Sequence, residues 1–481
     1  MKYDTVIGLE VHVQLNTNSK LFCGCSTQFG AEPNTQTCPI CQGHPGVLPV
    51  LNQEVLRKAI QAGLSLNCSI NSFSKFDRKN YFYPDLPKAY QISQFDLPIC
   101  KEGYLEIHVD DQEPKNIRIN RIHMEEDAGK LIHSEVSSID ESYVDVNRCG
   151  VPLLEIVTEP EITSSDEAYH YLSGLKSIMQ YINVSDCNME QGSLRCDVNI
   201  SLKPVGQKEL GTRAEIKNMN SFKGVQKAIE FEIRRQSRLL DKGEKIVQET
   251  RLYNPDEDKT YTMRSKEEAH DYRYFPDPDL VPIVVDEKDI DEIRKALPEL
   301  PKLKEKRFVS EYQLSERDAG ILISSIDLAN YFEEAVKAYP DNPKKVANWI
   351  MGDFLKTINE SDGDLKSINI TPQQIGSLVK HIEEGKISGK IAKSVFEEMA
   401  QSGKTVEQSI EHLGIKQISD TGELSAIIDK VIAANPDPVA KVKAGKDKAI
   451  GFLVGQIMKE TKGQANPQMV NKLLKEKINE S

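Results

Sequence analysis

The sequence lacks the features of a membrane or secreted protein. Its 481 residues contain no apolar run of about 18 residues, the length that a membrane-spanning helix needs. The start, MKYDTVIGLEVHV, lacks the basic residues, apolar stretch and small-residue cleavage site of a signal peptide. We therefore expect a cytoplasmic protein.

Several signatures of catalysis and nucleotide binding are also absent. The sequence contains no G-x-x-x-x-G-K-[ST], G-x-G-x-x-G or H-E-x-x-H pattern, which excludes a P-loop, a glycine-rich dinucleotide loop and a zincin helix. It contains no G-x-S-x-G nucleophile elbow. If the protein binds a nucleotide, the binding site must therefore be formed by something other than one of these glycine-rich loops, such as the face of a sheet.

Disulfide bonds are not expected, although the chain has nine cysteines. Nine is an odd number, and the cytoplasm keeps thiols reduced. Five cysteines stand singly, namely Cys68, Cys100, Cys149, Cys187 and Cys196. The other four form a C-x-C pair, Cys23 and Cys25, and a C-x-x-C pair, Cys38 and Cys41, separated by twelve residues.

The spacing of these two pairs predicts a structural zinc site. Each short spacing lets one tight turn supply two tetrahedral thiolate ligands. The four thiolates complete the site, with His44 only a spare, so no position stays open for a catalytic water. Two other interpretations remain open. The cysteines could be small buried residues of a Gly/Pro-rich loop, or the C-x-x-C could be redox-active, although no thioredoxin-like pattern surrounds it.

The hydrophobic patterns change near residue 294 and again near residue 408. Residues 1–293 mix alternating strand patterns with turns, whereas residues 294–408 have helical patterns. Thr371 followed by Pro372 predicts a helix cap with proline in the first turn. Residues 409–481 contain short helical patterns, so we expect a small all-helical tail.

Four predicted strands carry acidic side chains beside histidine or arginine on one face. Alternation places apolar residues on the other face of each strand. The polar faces hold Glu10, His12 and Gln14; His123 and Glu125; Arg195, Asp197, Asn199 and Ser201; and Arg213, Glu215 and Lys217. For a single strand, a solvated face of a half-buried sheet explains the pattern. Four together indicate a polar floor for magnesium and a nucleotide, because such groups suit oxygen-binding cations and phosphate.

Two further stretches mix basic and aromatic residues. Residues 74–91 interleave Lys75, Arg78, Lys79 and Lys88 with five aromatic residues, and residues 270–282 repeat the theme with Arg273. Such a mixture can meet phosphates and stack on bases. An aromatic-rich loop fixed on the core is an equally good interpretation.

Long motifs throughout the chain carry a family resemblance. They include IGLEVHVQL, KLFCGC, CPICQGHPGVLPVLN, FDRKNYFYPDLPKAYQISQ, HMEEDAGKL, DVNRCGVPLLEIVTEP, MEQGSLRCDVNIS, GTRAEIKNMNSF, HDYRYFPDPDL and KAGKDKAIGFLVGQIMKETKGQANP. With these motifs the sequence resembles the family of aspartyl/glutamyl-tRNA(Asn/Gln) amidotransferase B subunits, known as GatB. The resemblance implies an α+β fold. A glutamine-synthetase-like antiparallel β cradle would occupy residues 1–293, a helical domain residues 294–408 and a YqeY-like tail residues 409–481.

The resemblance also implies a reaction and its residues. With ATP, the family phosphorylates the side-chain carboxylate of Glu on tRNA(Gln) or of Asp on tRNA(Asn), and ammonia then displaces phosphate. The implied magnesium ligands are Glu10, His12, Glu125 and Glu190. The implied phosphate-binding residues are Lys79, Arg195, Arg213, Lys217 and Arg273. Asp197 and Glu215 would hold a second metal ion or orient those basic groups.

The resemblance implies three partners as well. Because no nucleophile elbow is present, ammonia should come from an amidase, the A subunit of the complex, linked through a small C subunit. The net charge of -13 disfavours nucleic acid, so tRNA needs a local basic patch. Between residues 440 and 477, nine lysines and three acidic residues give a local charge of +6. That patch could instead be a solvated tail, and the whole chain could be a non-catalytic protein that only positions tRNA.

Overall fold

A computed structural model describes residues 2–109, 112–133, 141–265, 271–360, 365, 368–415, 421–443, 448–461, 465 and 467–480. The chain divides into two compact units, Met1–Leu300 and Pro301–Ser481. None of the described helices is long and apolar enough to cross a membrane.

The described part of the first unit contains sixteen strands and four helices. Its strands are β1 (Tyr3–Gln14), β2 (Ser69–Ile70), β3 (Phe73–Ser74), β4 (Asp77–Asn80), β5 (Tyr90–Ser93), β6 (Cys100–Ile107), β7 (Lys115–Glu126), β8 (Lys130–His133), β9 (Ser142–Asp145), β10 (Pro152–Thr158), β11 (Leu194–Pro204), β12 (Ala214–Lys217), β13 (Glu249–Asn254), β14 (Lys259–Ser265), β15 (Phe275–Pro276) and β16 (Ile283–Val284). Its helices are α1 (Gln53–Ser65), α2 (Ser165–Tyr181), α3 (Phe222–Asp241) and α4 (Glu287–Ala296).

Nine of these strands form one large sheet in the order β14-β13-β12-β11-β1-β10-β7-β6-β2. Every neighbouring pair is antiparallel except β12 and β13, which are parallel. Smaller sheets join β15-β4-β5, β16-β3 and β8-β9. Strand β1 therefore lies in the middle of the large sheet, with β10 on one side and β11 on the other.

The two faces of β1 differ as the sequence alternation predicts. Leu9, Val11 and Val13 are completely buried, whereas Glu10 and His12 on the other face are partly exposed. The apolar face joins a core that includes residues of α1, α2 and α3. Because burying each large aliphatic side chain contributes about 1.5–3 kcal/mol, this core fixes which face of β1 turns outward.

The second unit is helical. Its α-helices are α5 (Pro301–Tyr312), α6 (Glu316–Leu322), α7 (Ile326–Ala338), α8 (Pro343–Trp349), α9 (Leu355–Glu360), α10 (Pro372–Glu383), α11 (Gly389–Ser402), α12 (Val406–His412), α13 (Thr421–Ala434), α14 (Pro436–Lys443), α15 (Lys448–Glu460) and α16 (Pro467–Glu480). A π-helical turn at Ile350–Phe354 lies between α8 and α9.

Local sequence signals explain parts of this helical unit. The predicted cap at Thr371 is confirmed: its side chain accepts a hydrogen bond from the backbone N–H of Gln374. The Gln374 side chain in turn accepts one from the backbone N–H of Thr371, which completes a capping box. Helices α13 to α16 share their own apolar core, in which Leu424, Leu453 and Leu474 are completely buried. The predicted boundary between residues 408 and 409 falls inside α12.

Candidate active site on the polar face of the sheet

Strand register brings distant polar residues together on the outward face of the large sheet. His12 on β1 lies opposite Glu155 on β10 and opposite Arg195 on β11. Glu10, two residues earlier, lies opposite Asp197. Side chains two residues apart on a strand share a face, so these five residues form adjoining rows.

One group joins a histidine to two carboxylates. The His12 Nε2 atom lies 3.4 Å from Glu125 Oε1 and 3.4 Å from Glu155 Oε2. A second imidazole, that of His123, places its Nε2 atom 3.3 Å from Glu155 Oε2 and 3.7 Å from Glu125 Oε2. The ligand atoms of His12, Glu125 and Glu155 all lie within 4.8 Å of one another, which suits a single bound cation.

The charges in this group shift one another's pKa values. Burial lowers the pKa of His12, but the hydrogen bond with Glu155 and the charge of Glu125 outweigh burial and raise it. The pKa of His123 rises to about 9, because the nearby carboxylates outweigh burial there too. Burial opposes the charged form of Glu125 and Glu155, yet the two imidazoles hold both carboxyl pKa values below their ordinary value.

A second group consists of three carboxylates, those of Glu10, Asp197 and Glu215, whose ligand atoms also lie within 4.8 Å of one another. Lys217 forms ion pairs with Asp197 and, at 3.3 Å, with Glu215. Burial, followed by the charges of Glu155, Asp197 and Glu215, raises the pKa of Glu10. Three clustered carboxylates repel one another, so a bound cation would stabilise this arrangement.

The orientation of these carboxylates is fixed by neighbouring strands. The Asn199 side-chain amide donates a 2.9 Å hydrogen bond to Glu10 Oε1. The Thr250 hydroxyl donates one of 2.8 Å to Glu215 Oε2. Glu10 Oε1 and Glu215 Oε2 are therefore each held by a hydrogen bond from a side chain of the adjacent strand.

Basic side chains border both groups. Arg195 donates from Nη2 to Asp127 Oδ1 at 2.9 Å, and Arg148 pairs with Asp127 Oδ2 at 3.1 Å. Asp127 is only 4% exposed, so both arginines share one buried carboxylate as their ion-pair partner. The Lys79 ammonium lies 5.0 Å from the centre of the Tyr272 ring. Burial lowers the pKa of Lys79, but the charges of Glu125 and other neighbours outweigh it and raise that pKa.

Two adjoining cavities open over this face. The smaller, of about 290 Å³, is lined by residues that include His12, Lys79, Glu125 and Arg195. The larger, of about 590 Å³, shares Arg195 and Asp197 with it. An extended anionic ligand therefore has room beside both carboxylate groups.

The structure places some predicted residues away from the two groups. The four predicted magnesium ligands are divided: His12 and Glu125 lie in the first group, Glu10 in the second, and Glu190 in neither. Glu190 lies in a turn, where its backbone N–H donates to Asn188 Oδ1, and it lines the larger cavity. Arg213 and Arg273 are exposed and line neither cavity.

The sequence reasoning missed Glu155, Asp127, Arg148 and Thr250, and it did not place His123 in the first group. Glu155 is the only charged residue in the otherwise apolar strand PLLEIVT. A lone carboxylate in the middle of such a strand signals a buried polar group that needs a partner. The partner itself, His12, could only be identified from the order of the strands.

The four paired cysteines lie together in the loop after β1. Their sulfur atoms are within 4.8 Å of one another, and all four are free thiols. The hydrogen bond with Cys23, helped by the charge of Lys20, lowers the pKa of Cys41 to about 4. Burial raises the pKa of Cys25 to about 11. Four converging sulfurs of which one favours the thiolate fit a tetrahedral metal such as zinc.

This cysteine loop, residues 23–41, is joined to the sheet site by hydrogen bonds. The backbone N–H of Asn34 donates to Asp145 Oδ1 at 3.1 Å, and that of Gln36 donates to Asn147 Oδ1 at 2.8 Å. Asn147 immediately precedes Arg148, whose side chain holds Asp127. The loop thus fixes the segment that carries one of the basic residues of the site.

Comparison with known proteins agrees with the resemblance. Residues 5–291 match the GatB/GatE catalytic domain, and residues 330–478 match the GatB domain. The B subunit of the aspartyl/glutamyl-tRNA(Asn/Gln) amidotransferase of Thermoanaerobacter sp. (strain X514) is 58% identical over 478 residues, which cover 99% of this chain and 100% of the relative.

Two other relatives give the same result. The B subunit of the same name from Carboxydothermus hydrogenoformans is 57% identical over 478 residues, 99% of each chain. That from Geobacter sp. (strain M21) is 54% identical over 479 residues, 99% of this chain and 100% of the relative. The protein therefore belongs to the family of aspartyl/glutamyl-tRNA(Asn/Gln) amidotransferase B subunits.

Proposed function

We propose that this chain activates and amidates the side-chain carboxylate of Glu on tRNA(Gln), of Asp on tRNA(Asn), or of both, using ATP. The tRNA-dependent amidotransferase function is supported by family membership over the whole chain. The observation that carries the ATP-dependent step is the convergence of two acidic groups, His12–Glu125–Glu155 and Glu10–Asp197–Glu215, on one face of the sheet.

The chemistry explains why such a face is useful. A carboxylate is a poor electrophile, because an oxide ion would have to leave. Transfer of the γ-phosphoryl group of ATP to the carboxylate gives an acyl phosphate and ADP. Ammonia then attacks the acyl carbon, phosphate leaves, and an amide results. Phosphoryl transfer requires little covalent help but extensive charge neutralisation and positioning.

The residues of the site can divide this work. Magnesium, held by the two acidic groups, would offset the negative charge of the phosphates. Histidine is an unusual ligand for this hard cation, but here it stands between two carboxylates. Lys79, Arg195 and Lys217 would bind the transferred phosphate. Arg213 and Arg273 remain predicted to bind phosphate, and Glu190 remains a predicted magnesium ligand.

The remaining predictions complete the proposal. We propose that the first domain is a glutamine-synthetase-like cradle, that residues 294–408 and 409–481 form separate helical and YqeY-like domains, and that the cysteine loop binds zinc. We expect the protein to work in the cytoplasm, in a complex in which the amidase A subunit supplies ammonia and a small C subunit joins the two.

The tail is the proposed contact with the body of the tRNA. The lysines of the basic patch are Lys441, Lys443, Lys446, Lys448, Lys459, Lys462, Lys472, Lys475 and Lys477, of which Lys446 and Lys462 lie outside the described residues. Lys477 pairs with Asp429, which reduces its contribution. Deleting residues 411–481 should weaken tRNA binding and flatten its dependence on salt. Unchanged tRNA affinity in the truncated protein would place the contact elsewhere.

A direct assay tests the proposed reaction. The purified complex is given ATP, free ammonium and either Glu-tRNA(Gln) or Asp-tRNA(Asn), which bypasses the amidase. Glu125→Gln should abolish amide formation while tRNA affinity stays nearly unchanged. Retained amidation would refute the catalytic assignment. A tRNA-positioning protein without catalysis is not favoured, because it has no use for two clustered acidic groups.

A further inference from the structure

The structure contains a completely buried lysine beside the cysteine loop. Lys20 has no exposed surface. Its ammonium donates a 2.8 Å hydrogen bond to the carbonyl oxygen of Gln36 and a 3.5 Å contact to the sulfur of Cys41. Its own backbone N–H donates to the carbonyl oxygen of Cys25, so the residue is tied to both cysteine pairs.

The described residues provide Lys20 with no carboxylate partner within ion-pair distance. A small cavity of about 30 Å³ beside the cysteine loop is lined by Lys20 and by a second lysine, Lys88, which pairs with Glu126. Lys75, also largely shielded, pairs with Asp77 and Asp96. Burying an ammonium group without a counter-charge costs several kcal/mol, so a buried lysine needs a nearby anion.

Among the described residues, the group that can serve as an anion in contact with the Lys20 ammonium is the sulfur of Cys41, as a thiolate. Four thiolates around one divalent cation leave a net charge of -2 on the centre. An ammonium group in contact with one of the sulfurs halves that charge, and its N–H group withdraws electron density from the sulfur. The positive charge of the buried lysine and the negative charge of the buried thiolate cluster therefore compensate each other.

We propose that Lys20 is the charge partner and positioning residue of the four-cysteine metal centre, and that it sets the affinity of that centre for zinc. Its hydrogen bond to Gln36 holds the segment that leads into the second cysteine pair, and its contact with Cys41 halves the net charge of the loaded centre. The inference rests on the proposal that the loop binds zinc.

The competing explanation is a purely structural one. Lys20 could simply tie the loop together through the Gln36 carbonyl, with no dependence on charge or metal. The two explanations differ in how the metal changes the effect of a substitution. A charge partner matters more when zinc is bound and four thiolates surround it than in the zinc-free loop, which carries less negative charge. A structural tie matters equally in both states.

The first experiment measures zinc affinity on the purified full chain by competition with a chromogenic chelator. Lys20→Gln keeps a donor for Gln36 but removes the charge, and Lys20→Arg keeps the charge. Lys88→Gln, at the same cavity but paired with Glu126, is the matched control. We expect the zinc dissociation constant to rise about 10- to 100-fold in Lys20→Gln, and to change little in Lys20→Arg and Lys88→Gln.

The second experiment measures the midpoint of thermal unfolding of wild type, Lys20→Gln and Lys20→Met, each with and without zinc. We expect both substitutions to lower the midpoint of the zinc-loaded protein more than that of the zinc-free protein. Equal losses in the two states, or wild-type zinc affinity in Lys20→Gln, would overturn the role of Lys20 alone. Failure of the wild type to bind zinc would overturn the metal centre together with this inference.

Discussion

The sheet site and the cysteine loop are both sets of converging metal-type ligands, but they are assembled in opposite ways. The loop takes all four sulfurs from residues 23–41. The sheet site takes His12, Glu125 and Glu155 from three different strands. A local site depends on turn geometry, whereas a dispersed site depends on the register of the whole sheet. Substitutions and metal removal should therefore affect the two sites differently.

This difference also explains what could be predicted from the sequence. The spacing of the cysteines is enough to predict that all four belong to one site, and their sulfurs do converge. Alternation is enough to assign Glu10, His12, Glu125, Asp197 and Glu215 to polar strand faces. Grouping them required the strand order β12-β11-β1-β10-β7, which alternation cannot give. Glu155 was missed for that reason, since its importance depends on β10 lying beside β1.

The largest loss of activity in this comparison is expected from replacing Glu155, the carboxylate that the sequence analysis missed. Glu155→Gln keeps the size of the side chain but leaves His12 and His123 facing a neutral group. We expect ammonium-dependent amidation to fall by at least about 10²-fold, because the proposed magnesium ion loses an anionic ligand and no longer offsets the charge of the reacting phosphate. Glu209→Gln, an exposed carboxylate, is the control and should retain full activity.

If Glu155→Gln were fully active, the His12–Glu125–Glu155 group would not be part of the catalytic site. A fold defect is distinguished by comparing circular dichroism and tRNA affinity with those of the wild type. Both should be preserved, because the apolar face of β10 is unchanged.

The next effect concerns the stability of the metal-free sheet site as pH changes. The pKa of His123 in the folded protein, about 9, is above its ordinary value of 6.5. The stabilisation is therefore fully present below pH 6.5 and is lost as pH rises through 9. We expect a loss of about 2–3 kcal/mol in the free energy of unfolding, measured by urea titration in the presence of a chelator.

His123→Asn should flatten this pH dependence, and saturating magnesium should reduce it, since a bound cation takes over compensation of the carboxylates. His108→Asn, an exposed histidine beside Glu106, serves as the comparison and should leave the profile unchanged. A wild-type profile that is flat between pH 6.5 and 9 would contradict the charge arrangement described for the first group.

A third effect tests the buried carboxylate beneath the arginines. Asp127→Asn removes the partner of Arg195 and Arg148, which are themselves about one-third exposed. We expect a loss of about 1–3 kcal/mol in stability, because solvent screens the two guanidinium groups in part. The KM for ATP should rise as Arg195 loses its orientation. Unfolding in urea and steady-state kinetics measure the two effects, and an unchanged KM would remove Asp127 from the site.

The smallest effect links the two regions. Zinc removal should loosen the contacts of Asn34 and Gln36 with the segment that carries Arg148. We expect the dissociation constant for ATP to rise by less than about tenfold, as is usual for coupling through a packed network. Isothermal titration of zinc-loaded and zinc-free protein measures it. A rise of about 10²-fold or more in that dissociation constant, comparable to the loss of amidation expected in Glu155→Gln, would show that the two regions form one site.

The most direct test of the central claim is anomalous diffraction from crystals of the protein soaked with manganese and a non-hydrolysable ATP analogue. We predict one manganese peak within bonding distance of His12, Glu125 and Glu155, a second beside Glu10, Asp197 and Glu215, and phosphate density next to both. Density for a bound nucleotide, with no manganese peak at either group, would contradict the account.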